Sequence, residues 1–181
     1  MSEEYDFLIK STVCGDVGVG KTTLTLRFAP LPQWIHEDYK MTTGGDFYTK
    51  SISIDTTEGS IRCKLQLWVL SYQERFSSIR PMYYRGSLGA ILVFDLTNPL
   101  SFEHLPQWIH EIRENVRLEI PVLLVGNKSD LIDKRAVFRD EIDRFRQDFN
   151  LNYIETSAKT GDRVNECFYT LTCMMVGEGV I

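Results

Sequence analysis

The stretch Gly15-Asp16-Val17-Gly18-Val19-Gly20-Lys21-Thr22 decides the fold of this chain. It fits the phosphate-loop pattern Gly-x-x-x-x-Gly-Lys-Ser/Thr. Residues 5–13, just before it, contain an apolar run typical of a buried strand, and residues 23–28 after it are typical of a helix. A strand, a glycine loop and a helix in this order form the context that the pattern requires. From the motif alone, a glycine-rich turn with a chance lysine remains the alternative.

The loop also predicts how phosphate groups would be bound. Its glycines allow the backbone to curl until successive N–H groups point at phosphate oxygens, and the following helix adds the positive end of its dipole. Lys21 supplies a positive charge for the β- and γ-phosphates, and the Thr22 hydroxyl is placed to ligate magnesium. The predicted nucleotide-binding residues of the loop are Asp16, Val17, Gly18, Val19, Gly20, Lys21, Thr22 and Thr23.

Length and composition predict one globular domain. The chain has 181 residues, of which 43% are hydrophobic and 25% are charged, as in an ordinary α/β domain with a sizeable core. We therefore predict a single domain over residues 1–181, with its core in residues 5–175 and a short remnant at residues 176–181. The net charge of −5 favours neither nucleic acid nor an anionic membrane surface as a partner.

The cysteines and the apolar runs predict a cytoplasmic protein. The four cysteines form no Cys-x-x-Cys pair, which favours free thiols in a reducing compartment over disulfides or zinc. No apolar run reaches transmembrane length, and residues 1–4 resemble neither a signal peptide nor a myristoylation signal. Residues 176–181 carry no prenylation signal, so no membrane anchor is predicted in this chain, and membrane association would require a lipidated tail.

Strand-like and helix-like segments alternate along the rest of the sequence. Period-two alternation and a turn-rich gap predict a hairpin, and short continuous apolar runs predict central parallel strands. The predicted strands are residues 46–55, 61–70, 90–94, 121–125 and 152–155, and the later helices are residues 99–117, 139–149 and 164–175. This order is typical of an α/β domain with a parallel sheet and one antiparallel edge strand.

A second motif, Gly126-Asn127-Lys128-Ser129-Asp130, follows a predicted parallel strand at the edge where α/β folds bind ligands. A carboxylate there can accept hydrogen bonds from N1–H and the exocyclic amine of guanine, whereas adenine would leave it unpaired. Such a site discriminates by roughly 10⁴-fold or more. Asn-Lys-x-Asp alone is a weak pattern, but downstream of a phosphate loop it predicts a base site at Asn127, Lys128 and Asp130.

A third motif, Thr156-Ser157-Ala158-Lys159, follows the last short strand. Its backbone can present an N–H group to the guanine O6, which predicts Ser157, Ala158 and Lys159 as base-binding residues.

Together these motifs resemble a small GTPase of the Ras superfamily, and the Rab branch most of all. The resemblance covers residues 5 to about 175. Its further segments are Gly44-Gly45-Asp46-Phe47, Lys64-Leu65-Gln66-Leu67-Trp68, Arg75-Phe76-Ser77-Ser78-Ile79, Tyr83-Tyr84-Arg85-Gly86 and Leu92-Val93-Phe94-Asp95-Leu96-Thr97. It implies a phosphate-loop NTPase G domain with six mostly parallel strands, one antiparallel edge strand and five flanking helices. It also implies a switch that binds GTP or GDP with Mg²⁺ and acts in vesicle trafficking.

The resemblance implies roles for residues in two switch loops. Thr42 matches the threonine that ligates magnesium and touches the γ-phosphate, and Tyr39 matches an aromatic that closes over the phosphates. Gln73 matches the glutamine that orients the attacking water, so the implied catalytic residues are Gln73, Lys21 and Thr42. The implied magnesium ligands are Thr22 and Thr42.

The resemblance also implies partners. Phe47, Trp68 and Tyr83 match the aromatic trio through which Rab-like proteins show their nucleotide state to effectors. Ordinary packing beneath the switch loops would explain the same residues without any effector. An exchange factor and an activating protein are implied as well.

Three departures from the family pattern surround the expected γ-phosphate position. Val69 stands where the family has the aspartate that holds magnesium's water shell, and Tyr72 stands where it has a flexible glycine. Val17 stands where a glycine or small polar residue leaves room for the attacking water. The first switch is also longer than the Rab pattern, and either Trp34 or Ile35 could cover the guanine.

Two interpretations from different classes remain. The first is an enzyme that binds GTP and GDP with magnesium and hydrolyses GTP slowly. The second is a pseudo-GTPase, locked with GTP or weak in nucleotide binding, that serves as an effector scaffold. The departures favour the second and the retained motifs favour the first. A phosphate-loop kinase explains neither the Asn-Lys-x-Asp motif nor the Rab-like segments.

Overall fold

The computed structural model describes residues 4–30, 45–57, 59–70, 78–116 and 119–177. Six strands form one sheet in the order β2-β3-β1-β4-β5-β6. Their bounds are β1 Phe7–Cys14, β2 Gly45–Thr56, β3 Gly59–Leu70, β4 Gly89–Asp95, β5 Val122–Asn127 and β6 Asn152–Thr156. Every pair is parallel except β2 with β3, so β2 is the antiparallel edge strand, which confirms the predicted fold.

The helices lie on both faces of this sheet. Their bounds are α1 Lys21–Phe28, α2 Arg80–Tyr84, α3 Pro99–Glu103, α4 Leu105–Asn115, α5 Arg139–Asp148 and α6 Val164–Val176. Only His104 separates α3 from α4, and its φ of −83° and ψ of −8° are helical. When α3 and α4 are counted as one interrupted helix, the described part of the chain contains the five helices that were predicted.

The interruption at His104 corrects the prediction of one continuous helix over residues 99–117. Proline has no backbone N–H, so Pro106 cannot donate to the carbonyl of Phe102, and the helical ladder is broken there. The backbone N–H groups of Gln107 and Trp108 both donate to the carbonyl of His104, at 3.1 and 3.4 Å. α4 then ends at Asn115.

Two hydrophobic cores cover the two faces of the sheet. On one face α1 and α6 pack over the strands, with Phe28 stacked on Phe168 at 4.1 Å between ring centroids. On the other face α4 and α5 pack over β4 and β5 through residues such as Leu105, Ile109 and Ile142. β4 is buried along its whole length, as its continuous apolar run predicted.

Among the described residues, no helix is both long and apolar enough to cross a membrane. The four cysteines are free and buried, as predicted.

Candidate nucleotide-binding site

The phosphate loop connects β1 to α1 at the centre of the sheet. β1 lies between β3 and β4, so the loop leaves the sheet at the carboxyl edge where ligands of α/β folds bind. Gly15, Gly18 and Gly20 have φ values of +135°, +79° and +98°, a region that side chains rarely adopt. A Cβ added at Gly15 would stand 2.1 Å from the carbonyl oxygen of Val93, so this glycine allows the loop to approach β4.

Lys21 lies folded back inside the loop. Its ammonium donates to the carbonyl oxygens of Gly15 and Asp16, both at 2.7 Å, and the residue is only 9% exposed. Burial lowers the pKa of Lys21 to about 8, although the nearby Asp16 favours its charged form. A cation held within a concave loop in this way is placed to meet an anionic phosphate.

A cavity of about 230 Å³ lies beside the loop. That is smaller than the roughly 300–1,000 Å³ typical of a complete ligand site, as expected of a pocket for a base alone. All three sequence motifs contribute to its lining, which consists of Gly20, Thr23, Asn127, Lys128, Asp130, Leu131, Ala158 and Lys159. The structure therefore brings together residues that the sequence placed in separate motifs.

Asn127, at the end of β5, ties the three motifs to one another. Its Nδ2 donates to the carbonyl of Val19 at 2.9 Å, and its Oδ1 accepts from the Thr156 hydroxyl and the Ala158 N–H, both at 3.1 Å. The side chain is buried, so these bonds are shielded from water. Asn127 thus positions the site, and the backbone N–H of Ala158 in the third motif donates to it.

Contacts with neighbouring side chains orient both Asp130 and Lys128. The Ser157 hydroxyl donates to Asp130 Oδ1 at 2.6 Å, and it also accepts from the Thr160 N–H at 3.1 Å. Lys128 has a φ of +68° and places its ammonium 2.6 Å from the carboxylate of Asp95. The predicted carboxylate is therefore already oriented within the cavity lining.

Asp95, which pairs with Lys128, supports the site, and sequence reasoning did not single it out for this role. It ends β4, is 5% exposed, and accepts from both the N–H and the hydroxyl of Thr97. The signal that could have found it is an Asp-x-Thr turn at the carboxyl end of a buried strand, next to the strand that carries the base motif.

The magnesium ion that the motifs imply has one candidate ligand among the described residues. Thr22 lies in the first turn of α1 with an exposed side chain, so its hydroxyl fits a ligand position. Val69 is 3% exposed and packs in the core, and it offers no oxygen. Within the described ranges no group of three acidic, histidine or cysteine residues could hold a metal ion.

Within the aromatic trio, the ring of Trp68 contacts those of both Phe47 and Tyr83. The rings of Phe47 and Trp68 lie 4.8 Å apart, and those of Trp68 and Tyr83 lie 5.5 Å apart, between centroids. Phe47 remains 45% exposed. This arrangement presents a semi-exposed aromatic surface on the sheet, and Phe47 closely follows, in sequence, the segment predicted to be the first switch.

Several predicted site residues lie outside the described residues: Trp34, Ile35, Tyr39, Thr42, Tyr72 and Gln73. Their predicted roles stay predictions. Val17 is described and is 66% exposed at the tip of the phosphate loop.

A larger cavity of about 750 Å³ lies away from these motifs, beside the carboxyl ends of α4 and α5. Val122 and Asn152, which begin β5 and β6, are among its lining residues, so it opens at the opposite edge of the sheet.

The fold and the site define a nucleotide-binding protein of the phosphate-loop class with a base pocket of the Asn-Lys-x-Asp type. Comparison with known proteins makes this assignment more specific. Residues 10–176 match the model of the Ras family. The Ras-related protein Rab-1 of Theileria annulata is 44% identical over 170 residues, which cover 93% of this chain and 74% of that protein.

Further relatives agree. The GTP-binding protein ypt3 of Schizosaccharomyces pombe is 40% identical over 169 residues, covering 93% of this chain and 76% of that protein. The human Ras-related protein Rab-8B is 38% identical over 171 residues, covering 94% and 80% of the two chains. The chain belongs to the Ras family and is a Rab-like small GTP-binding switch protein.

Family membership confirms the general predictions. Guanine nucleotide with magnesium is the ligand of this class, GTP hydrolysis is its activity, and effectors, exchange factors and activating proteins are its partners. The comparisons support the switch protein rather than the pseudo-GTPase alternative.

Proposed function

We propose that this chain binds GTP and GDP through the three assembled motifs and hydrolyses GTP slowly. The observation that carries the proposal is the base cavity, in which Asp130 is oriented by Ser157 beside Lys128 and Asn127. A carboxylate held there matches the two donors of guanine and has no partner on adenine.

The residues of the phosphate loop would share the phosphate charge. Backbone N–H groups from Asp16 to Thr23 would bind phosphate oxygens, and Lys21, which donates to the Gly15 and Asp16 carbonyls, would meet the γ-phosphate. Thr22 and Thr42 would hold magnesium, which would supply charge compensation. Trp34, Ile35, Tyr39 and Tyr72 complete the nucleotide contacts.

Slow hydrolysis is proposed because of three side chains. Val69 cannot orient the water shell of magnesium, and Val17 occupies space at the loop tip that the attacking water needs. Tyr72 limits the second switch, while Gln73 still orients water. These residues lower the rate without removing the loop, the lysine or the base site.

The aromatic surface of Phe47, Trp68 and Tyr83 is the proposed effector contact. Its rings pack against one another at tilted angles along β2, β3 and the end of α2, which adjoin the two switch segments in sequence, so a change in those segments would alter the surface that a partner meets. The proposed cellular location is the cytoplasm, with one domain over the whole chain.

The test is to identify the nucleotide released from purified protein and then to measure competition between GTP and ATP. We expect a guanine nucleotide and a preference for GTP of roughly 10⁴-fold. Affinity for ATP within tenfold of that for GTP would overturn the base assignment. GTP turnover, followed by chromatography, tests the slow rate separately.

A further inference from the structure

The side chain of Asp16 points out of the phosphate loop towards α4. Its Oδ2 lies 2.6 Å from Nδ1 of His104, and its Oδ1 accepts from the indole Nε1 of Trp108 at 2.8 Å. A carboxylate has only acceptors, so the Nδ1 of His104 is the donor in this pair. The carboxylate is 13% exposed, which makes both hydrogen bonds largely shielded from water.

The same helix also holds the segment that follows the second switch. Arg80, the first residue of α2, makes two hydrogen bonds to Glu111 of α4, at 2.8 and 3.0 Å. Its guanidinium lies 5.5 Å from the ring centroid of Trp108. α4 therefore touches the phosphate loop on one side and α2 on the other, with Trp108 common to both contacts.

The Asp16 contact bears directly on Lys21. The carbonyl of Asp16 accepts from Lys21 at 2.7 Å, so one residue links α4 to the cation of the loop. If the Asp16 side chain were released, its backbone would be free to move, and the position of the Lys21 charge would move with it.

We propose that His104 and Trp108 are positioning residues for nucleotide binding, which hold the phosphate loop in its binding conformation through the carboxylate of Asp16. This inference rests on the proposed function, since it names what keeps that same site in shape. Neither residue lines the base cavity. Their effect is to slow nucleotide release, because the hydrogen bonds of Asp16 to His104 and Trp108 restrain the loop from opening.

Trp108 is 3% exposed and belongs to the core under α4, so replacing it would disturb the fold as well. The hydrogen bonds that Asp16 makes with His104 and Trp108 are called the tether below. His104 is the better test, because its side chain is 38% exposed. His104→Leu removes the donor and keeps comparable bulk. His104→Asn keeps a side-chain N–H close to the position of Nδ1.

The matched control is His110, which lies in α4, the helix that begins directly after His104. It pairs with Glu114 at 3.2 Å, and its side chain is 72% exposed. His110→Leu therefore makes the same chemical change at a site without a tether.

The experiment measures the dissociation rate of a fluorescent GDP analogue from each variant at saturating magnesium. We expect release from His104→Leu to be on the order of tenfold faster, which corresponds to about 1.4 kcal/mol. Release from His104→Asn should lie near that of the unmodified protein, and release from His110→Leu should be unchanged. Equal rates for His104→Leu and the unmodified protein, or equal acceleration by both leucine variants, would overturn the proposal.

A second measurement does not depend on nucleotide. Hydrogen exchange of the peptide spanning residues 15–20, in protein stripped of nucleotide, should be faster in His104→Leu than in His110→Leu. If the unmodified protein binds no guanine nucleotide, the proposed function fails, yet this exchange result still decides the tether. If His104→Leu does not fold, Asp16→Asn takes its place, because it removes the charge of the acceptor within the same geometry. Unchanged exchange would then overturn the tether.

Discussion

Gly20 of the phosphate loop and Asn127 of the base motif are in direct contact. A Cβ added at Gly20 would stand 2.3 Å from the Asn127 Nδ2, the atom that donates to Val19. The phosphate site and the base site are thus joined through one amide, and an alteration of the loop at Gly20 is transmitted to the base pocket.

Gly20→Ala should therefore destabilise the protein before any ligand is added. The substitution combines strain at a φ of +98° with displacement of a buried hydrogen bond, together about 2–6 kcal/mol. Gly18→Ala is the matched control, because Gly18 has a φ of +79° but no atom within 4 Å of the added Cβ. Chemical denaturation of nucleotide-stripped protein measures the difference. Equal losses for the two variants would contradict the contact.

Asp130→Asn should move the base preference from guanine to xanthine nucleotides. Xanthine presents an acceptor where guanine presents the donor that the carboxylate requires, and the asparagine amide can supply the missing donor. Competition between GDP and XDP measures the preference. Ser157→Ala is the control: it removes the hydroxyl that donates to Asp130 at 2.6 Å, so it should weaken binding without reversing the preference.

Val69→Asp should tighten magnesium binding in the presence of GDP. Val69 lies near the end of β3, the strand that pairs with β1, in register with Val13, and an added carboxylate there can hold water ligands of the ion. The same carboxylate is buried without a partner when magnesium is removed, so the free energy of unfolding should fall in chelator. The magnesium midpoint for nucleotide retention measures the first effect. Val69→Thr, which has similar shape and no charge, should leave the midpoint in place.

Intrinsic GTP turnover should be at or below about 10⁻⁴ per second, the unaided rate of this class. Val69→Asp with Tyr72→Gly should raise it, and Val17→Gly added to both should raise it further because the loop tip then admits water. Single-turnover assays at saturating magnesium measure each step. If the unmodified protein already matched the triple variant in rate and magnesium midpoint, the three side chains would have no effect.

The cysteine thiols should be unreactive in the native protein. Burial raises the pKa of Cys14 to about 12, from an ordinary value of 9.0, and it also raises the pKa of Cys63 and Cys167. A thiol with a raised folded-state pKa contributes stability that is complete below pH 9 and is lost as pH rises towards 12. A thiol reagent at pH 8 should label the protein only after denaturation, and the melting temperature should decline above pH 9. Rapid labelling of native protein would contradict the burial.

The sequence was sufficient to predict the sheet and the three nucleotide motifs. The phosphate loop, the hairpin and the apolar strands each depend on local patterns, and parallel topology brings their ends to one edge. Asp16 shows where such reasoning stops. Its motif position predicted that its backbone helps to bind phosphate, which stays a prediction, but gave no partner for its carboxylate, which contacts His104 and Trp108, far away in sequence. Hydrogen-bond partners so far apart in sequence produce no local residue pattern from which the contact could be predicted.

The break between α3 and α4 has a different origin. The spacing of Phe102, Leu105 and Trp108 is helical throughout, so periodicity predicted a single helix. Pro106 interrupts the hydrogen bonding without disturbing which face is buried, and this is why the apolar pattern continues across the break.

The position of β1 in the sheet also fixes the order in which the molecule can be assembled during synthesis. β1 pairs on one side with β3 and on the other with β4, so during synthesis β1 has neither of these neighbours until residues 59–95 have followed. Once β4 has been synthesised, the phosphate loop can pack against Val93. The base pocket can form only after Thr156 and Ala158, the hydrogen-bond partners of Asn127 that come last in the chain, have been synthesised. Nucleotide can therefore act as a folding ligand only late in translation, when nearly all of the domain has emerged.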